Sequence, residues 1–150
     1  MSGESNKVIA RRYFDELLNQ GRLKVAEEIL SPEIVFCDPF VTIQGIDRLQ
    51  RFFLMVRKTF PDLHYTAEPG IAEGDMVVSC FTSYGTFLGE SHGWGAFQGT
   101  PSNGRKVSVK GVDIFQLRDG KITEVRAFYD TYDQMRQLGL IPSLGRAEDS

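Results

Sequence analysis

The sequence RKVSVKGVDIFQLRDGKITEVRAFYDTY, residues 105–132, is the clearest indication of the fold class. Apolar and polar residues alternate along it, and this period of two predicts one strand at 105–117 and another at 121–132. Asp119 and Gly120 lie between them, and an Asp-Gly pair is typical of the tight turn of an antiparallel hairpin. The sequence therefore predicts a long β-hairpin in this part of the chain.

The residues before this hairpin predict further strands. The same alternation indicates two long strands at 64–73 and 76–88, which are joined by a turn at Gly74. A short β-prone run at 33–38 precedes them. The segment 89–104 is rich in glycine and poor in aliphatic residues, which indicates a long loop between the second and third long strands.

Apolar residues at helical spacing predict the helices. A first helix begins after Ser5 as its N-cap and ends near Gly21, and a second occupies 23–30. A third helix at 46–60 carries a continuous apolar stripe, and a helical turn at 133–138 follows the hairpin. Helices followed by an antiparallel sheet predict an α+β cone, in which N-terminal helices pack on a strongly curved sheet.

Composition bounds the function. The chain has 150 residues, of which 41% are hydrophobic, so it predicts one globular domain over 1–150 with an ordered core at about 6–141. The net charge of −3 disfavours nucleic acid and anionic membranes as partners. No run approaches the length of a membrane helix, and the start of the chain lacks an apolar signal core. Cys37 and Cys80 lie in apolar runs, which favours free thiols in the cytoplasm.

A sheet that curves around a helix leaves an apolar space, and such concave spaces bind small molecules. The helical stripes and the strand alternation converge on one set of side chains. These predict a pocket lined by Tyr13, Leu17, Phe36, Phe53, Val56, Phe60, Val109, Asp113, Ala127 and Tyr129.

Asp113 is the first candidate for a catalytic residue. Alternation places it on the same strand face as Val107, Val109 and Phe115, where desolvation favours the neutral form of a carboxyl group. Such a carboxyl group is a candidate general base. The alternative is a structural aspartate that is paired with Arg126 or satisfied by backbone donors.

Four other residues are weaker candidates. Asp130 ends the final strand, where it is a second candidate acid or the N-cap of the following helical turn. Asp38 precedes a proline, so an Asx-type turn near the pocket mouth is its first interpretation. His92 and Trp94 lie in the 89–104 loop, which either folds over the mouth to present them to a ligand or stays a surface loop. No close spacing of His, Cys, Asp or Glu predicts a metal site.

Several local strings add a resemblance to a known family. They are RYF at 12–14, FCDPF at 36–40, FPDL at 60–63, AEGD at 72–75, GVDIF at 111–115 and DGKITE at 119–124. In this order they resemble the SnoaL-like polyketide cyclases, within the nuclear transport factor 2-like fold superfamily, over nearly the whole chain. The resemblance implies a cone with an internal pocket, and it implies ring closure of a small hydrophobic carbonyl compound by acid–base side chains without metal or organic cofactor.

The resemblance also implies site residues and a partner. Family members carry an acid on the final strand and a polar group on the preceding one; in this sequence Ala127 stands at the first position and Asp113 at the second. Pairing through the outer sheet face implies a homodimer, with Val78, Cys80, Tyr84 and Val112 on that face. Two functions stay open: a cofactor-independent enzyme of the cyclase or isomerase type, and a non-catalytic binding domain for an apolar small molecule, which Ala127 favours.

Overall fold

The computed structural model describes residues 2–89 and 99–142, and in these ranges helices lie before, between and after the strands of one sheet. The helices are α1 (Gly3–Arg12), a π-helical segment (Tyr13–Asn19) that continues it, α2 (Val25–Ile29), α3 (Ile46–Thr59) and α4 (Thr131–Gln137). The strands are β1 (Leu30–Cys37), β2 (Thr42–Gln44), β3 (His64–Ala67), β4 (Ile71–Glu73), β5 (Met76–Thr86), β6 (Lys106–Arg118) and β7 (Lys121–Tyr129).

The predicted start of the first helix is wrong by three residues. Ser2 and not Ser5 is the N-cap, because the Ser2 hydroxyl accepts a hydrogen bond from the Ser5 backbone N–H at 3.1 Å. Glu4 in the first turn adds a favourable charge near the positive end of the helix dipole. The second helix is also shorter than predicted, since extended backbone begins at Leu30 and continues through Pro32 in β1.

The sheet is curved and mostly antiparallel, in the order β2-β1-β7-β6-β5-β3, with β4 also paired to β5. The pair β1–β7 is parallel. The hairpin of β6 and β7 confirms the prediction from the Asp-Gly pair, because Asp119 and Gly120 both have positive φ angles, 51° and 78°. β7 is shorter than predicted, since the strand ends at Tyr129 and α4 begins at Thr131.

The predicted strand at 64–73 is two strands. β3 and β4 both pair with β5, and the residues between them include Pro69, which has no N–H to donate to a sheet ladder. Gly70 follows, and a Cβ atom there would lie 2.8 Å from the Val77 side chain. The missing proline N–H explains why regular pairing stops before β4, and glycine at residue 70 lets the backbone pass close to Val77.

The helices pack against the concave face of the sheet through aromatic residues. The Tyr13 ring lies 5.1 Å from the Phe115 ring and 6.1 Å from the Phe53 ring, and each pair meets edge to face. The predicted stripe of α3 is confirmed at Leu49, which is fully buried, whereas Phe53 and Val56 are half-buried because they border an internal cavity. Within the described ranges, no helix is both long and apolar enough to cross a membrane.

Candidate functional site

A cavity of about 130 Å³ lies between the concave face of the sheet and the helices. A closed apolar cavity of this size holds a molecule of about one aromatic ring, and an open one admits a longer molecule that extends into its mouth. Two of its lining residues, Leu54 and Tyr84, are 45% and 46% exposed, so the cavity reaches the protein surface. All ten predicted pocket residues line it, together with Asp38: Tyr13, Leu17, Phe36, Phe53, Val56, Phe60, Val109, Asp113, Ala127 and Tyr129.

Asp113 lies in the middle of β6 and points into the cavity. It pairs with Ser79 on β5 and with Ala127 on β7, and the residue is only 3% exposed. Its Oδ1 atom has no hydrogen-bond partner within the described part of the chain. Burial, helped by the negative charge of Asp38, raises the pKa of the Asp113 carboxyl group to about 8. At neutral pH the group therefore holds its proton.

The predicted alternative, an Asp113–Arg126 pair, is wrong. Arg126 lies opposite Ile114 in the β6–β7 ladder, and neighbouring residues of a strand point to opposite faces, so its side chain is on the convex side. There its Nε atom lies 3.4 Å from an oxygen of Glu124. Among residues 2–89 and 99–142, the carboxyl group of Asp113 consequently has neither this counter-charge nor a donor to its Oδ1 atom.

Tyrosine side chains surround the same end of the cavity. Burial raises the pKa of both Tyr13 and Tyr65 well above the ordinary value, and the negative charge of Asp113 raises each further. Tyr129 is the last residue of β7, and burial raises the pKa of its hydroxyl group as well. These hydroxyl groups stay protonated at neutral pH and can donate hydrogen bonds.

Asp38 directly follows β1, where it stabilises a turn and also lines the cavity. Its Oδ1 atom accepts backbone N–H groups of Phe40 at 2.8 Å and Val41 at 2.9 Å, which confirms the predicted Asx-type turn. The residue also lines the cavity. Burial raises its pKa, while the backbone hydrogen bonds and one from Tyr129 oppose this effect.

Three predicted site residues are not brought into this cluster. Asp130 is exposed and caps α4, since its Oδ1 atom accepts the Asp133 N–H at 2.9 Å, and it does not line the cavity. The N-cap interpretation of Asp130 is confirmed, and its alternative, a second catalytic acid in the pocket, is corrected, because the chain turns into the helix directly after β7. His92 and Trp94 lie outside the described residues.

The structure adds cavity residues that the sequence analysis missed. Gln134 on α4 is 7% exposed, and its Oε1 atom is buried without a partner in the described ranges. Arg57 on α3 donates to the backbone oxygens of Leu18 and Asn19, so its guanidinium group holds the end of the π-helical segment. α4 is short and mostly polar, and no sequence pattern indicates which of its faces is buried.

The described residues form no cluster that could hold a metal ion. In residues 2–89 and 99–142, no three His, Cys, Asp or Glu side chains come together in that way. The polar groups of the cavity include carboxyl, hydroxyl and amide groups, which suit proton transfer and hydrogen bonding to an organic ligand.

Comparison with known proteins gives one family. The model of the SnoaL-like polyketide cyclases matches residues 8–138. The comparison with curated proteins gave no match.

Solved structures show the same fold. A protein from Jannaschia sp. CCS1 named for the SnoaL-like polyketide cyclases is 28% identical with a TM-score of 0.80, over 93% of this chain and 95% of its own. TsrD from Streptomyces laurentii is 26% identical with a TM-score of 0.80, over 94% and 99%. An epoxide hydrolase of the LEH-like type from M. tuberculosis, 16% identical with a TM-score of 0.70 over 91% and 90%, shares the fold alone.

Proposed function

Because the chain belongs to the SnoaL-like polyketide cyclase family, we propose that it is a cofactor-independent enzyme of the cyclase or isomerase type. Its substrate is a small hydrophobic carbonyl compound, and Asp113 transfers the proton. One observation carries this proposal: a carboxyl group whose pKa is raised to about 8 lies in an apolar cavity with an unpartnered oxygen atom. General acid–base catalysis works best when the pKa of the catalytic group is near the working pH.

The proposed reaction begins with the ionised fraction of Asp113. Its carboxylate removes a proton from the carbon next to the substrate carbonyl group, so a C–H bond breaks, an O–H bond forms on Asp113, and an enolate results. Tyr13 and Tyr65 keep their protons, and their hydroxyl groups are the donors available to the enolate oxygen. In a cyclase, the enolate carbon attacks a second carbonyl group, a C–C bond forms, and the resulting alkoxide takes the proton from Asp113, which restores the carboxylate. In an isomerase, the enolate takes the proton back from Asp113 at another carbon.

The register of the hairpin supports a shifted position of the catalytic acid. The family acid is expected at residue 127, where this chain has alanine, yet Asp113 is the direct cross-strand partner of Ala127. Side chains in such a pair have Cβ atoms about 5 Å apart. A carboxyl group on β6 therefore reaches nearly the same part of the cavity as one on β7.

The second candidate is a binding domain without turnover. Ala127 supports it, since a methyl group neither accepts nor donates a proton, and most of the cavity wall is apolar. In this interpretation, the Asp113 carboxyl group only orients a bound ligand by hydrogen bonding.

The test uses 2-tetralone, a bicyclic ketone with acidic hydrogens next to its carbonyl group. We expect the wild-type protein to accelerate exchange of these hydrogens for deuterium in D₂O, followed by NMR. Asp113→Asn should lose about 10²–10⁴-fold of this acceleration, while Asp47→Asn, an exposed aspartate on α3, should keep it. No acceleration by the wild-type protein would favour the binding domain, and full activity in Asp113→Asn would remove this residue from the mechanism.

We propose in addition that two copies pair through the convex face of the sheet. Cys80, Val112 and Phe128 are direct neighbours across β5, β6 and β7, and Phe128 is 56% exposed. Tyr84, expected on this face, also borders the cavity. Light scattering after gel filtration should give a dimer for the wild type and a monomer for Phe128→Glu. Val8→Glu, at an exposed apolar position of α1, serves as the control.

The state of the two cysteines bears on the compartment in which the protein works. Cys37 and Cys80 are both free thiols in the structure. Free thiols suit a reducing compartment, and we place the protein in the cytoplasm. The test is to alkylate free thiols in intact cells and then to isolate the protein for mass spectrometry. We expect both cysteines to carry the alkyl group, and oxidised cysteines would contradict the proposal.

A further inference from the structure

Gln134 is held over the first half of β6 by the docking of α4. At the start of the helix, the Asp130 backbone N–H donates to the Lys110 oxygen at 3.0 Å. At its end, the Gln137 side chain accepts from the Ser108 N–H and donates to the Ser108 oxygen, both at 2.8 Å. Gln134 lies one turn before Gln137, and its side chain lines the cavity.

The two glutamines of this helix differ in their hydrogen bonds. The Gln137 amide has the two bonds to Ser108 and a third, at 2.7 Å, to the Asp133 carboxylate. The Gln134 Oε1 atom has no partner in the described ranges, although it is buried. An unmade hydrogen bond at a buried acceptor is costly, and a leucine at this position would avoid the cost. The cavity therefore contains an acceptor that the fold itself does not use.

Asp113 and Gln134 mark two separate polar points. Asp113 is three residues beyond Lys110 on β6, a distance of about 10 Å along a strand, whereas α4 contacts the strand at Lys110 and Ser108. The cavity lining also includes the apolar side chains of Val109 and Phe81, and the Ser83 hydroxyl beside Val109 donates to the Val109 backbone oxygen. A ligand that satisfies both points has a polar group at each end and an apolar body.

We propose that Gln134 selects the ligand, and that this ligand is a hydroxylated cyclic ketone: its carbonyl end lies at Asp113, and its hydroxyl group donates to Gln134 Oε1. The assignment of the carbonyl end rests on the proposed function. The assignment of the hydroxyl end rests on the buried, unpartnered amide oxygen. A hydroxyl group that donates to it would complete the hydrogen bonding of this end of the cavity.

Two probes differ only in this group: 6-hydroxy-2-tetralone and 2-tetralone. By calorimetry we expect the wild-type protein to bind the hydroxylated ketone about tenfold more tightly, as one hydrogen bond to a buried acceptor predicts. Gln134→Leu should bind both ketones equally. Gln44→Leu, the same substitution at an exposed position of β2, should keep the tenfold preference.

A second measurement needs no variant. In the wild-type protein, the side-chain amide resonances of Gln134 should shift when 6-hydroxy-2-tetralone is added and stay nearly unchanged with 2-tetralone. Equal affinities in the wild type, a preference that survives Gln134→Leu, an unmoved Gln134 amide, or no binding of either ketone at millimolar concentration would each overturn the proposal.

The binding readout separates this inference from the proposed catalysis. Asp113→Asn should lose deuterium exchange but keep the preference for the hydroxylated ketone, because the Gln134 end of the cavity is unchanged. If the wild type shows the preference but no exchange, the ligand assignment holds and the protein is a binding domain. If exchange occurs without the preference, the catalytic proposal holds and the ligand assignment fails.

Discussion

Asp38 and Asp113 both line the cavity, but their carboxyl groups differ in the hydrogen bonds that they accept. The Asp38 Oδ1 atom accepts two backbone N–H groups in a tight turn, and Tyr129 adds a further hydrogen bond. The Asp113 Oδ1 atom has no partner in the described ranges, and that residue is almost completely buried. Burial raises the pKa of both groups, and the hydrogen bonds hold down only that of Asp38.

This difference assigns a role to each carboxyl group. Asp38 keeps its charge more easily and stabilises a turn, whereas Asp113 keeps its proton near neutral pH and is available to a ligand. The two are also coupled, since the negative charge of Asp38 is the second cause of the raised pKa of Asp113. Four experiments test this difference between the two carboxyl groups.

The largest effect is expected from Ala127→Asp, which gives Asp113 a carboxyl neighbour directly across the strands. Two buried carboxyl groups about 5 Å apart cannot both ionise cheaply. We expect the free energy of unfolding at pH 7 to fall by about 3 kcal/mol in urea titrations. Ala127→Asn adds a side chain of the same shape without a charge, so its free energy of unfolding should fall by less. If the folded variant restores the family acid, it should also exchange 2-tetralone hydrogens faster than the wild type.

Equal stability of Ala127→Asp and Ala127→Asn at pH 7 would contradict this prediction. It would mean that residue 127 is hydrated in solution. Asp113 would then also lie in water, and the contrast with Asp38 would disappear.

The second effect is the pH dependence of stability. The folded-state pKa of Asp113, about 8, is above the ordinary value of 3.8, so the folded protein holds a proton that the unfolded chain loses above about pH 4. Stability therefore falls as the pH rises from about 4 to about 8. Asp113→Asn removes this contribution. The free energy of unfolding of the variant, relative to that of the wild type, should therefore rise by on the order of 3 kcal/mol between pH 5 and pH 8.

Urea unfolding of both proteins at pH 5, 6.5 and 8 measures this difference, in which the contributions of all other groups cancel. A constant difference across the three pH values would show that Asp113 is ionised throughout. That result would make the two carboxyl groups alike.

The sequence predicts Asp113 and the sheet well because both follow from local patterns. Alternation along β6 and β7 indicates which side chains point inward. Counting pairs from the Asp-Gly turn alone would set Asp113 opposite Arg126, whereas the register shift between Gln116 and Leu117 sets it opposite Ala127. The helical stripe of α3 works in the same way for Phe53 and Val56. A period of two or 3.6 residues is enough to assign a face when one side is buried.

Features that depend on distant contacts are not predictable in this way. The parallel pairing of β1 with β7 joins residues that are far apart in the sequence, and Gln134 is buried only because the ends of α4 bind Ser108 and Lys110. Asp130 directly follows β7, and its N–H and its carboxyl oxygen are used in docking and capping α4. The hydrogen bonds of the helix end the alternation there.

The third effect concerns the turn at Asp38. Asp38→Ala removes the acceptor of two backbone N–H groups, and we expect it to lower the free energy of unfolding by about 1–2 kcal/mol. Asp38→Asn keeps an acceptor oxygen in the same place and should lose much less. Thermal and urea unfolding compare the two variants. A loss of equal size in both would mean that the charge of Asp38, and not its turn geometry, is what stabilises β1 and β2.

The smallest effect tests the coupling between the two carboxyl groups. Asp38→Asn keeps the turn acceptor but removes a negative charge that raises the pKa of Asp113, so this pKa should fall. The ¹³C carboxyl resonance of Asp113, followed from pH 5 to pH 9, gives the pKa directly in both proteins. Deuterium exchange of 2-tetralone should rise with pH through the same midpoint, because only the ionised carboxylate removes a proton. Glu33→Gln, an exposed position on β1, is the control and should leave the midpoint in place. An unchanged midpoint in Asp38→Asn would show that burial alone raises the pKa of Asp113, and that the turn at Asp38 contributes to the fold and not to the chemistry.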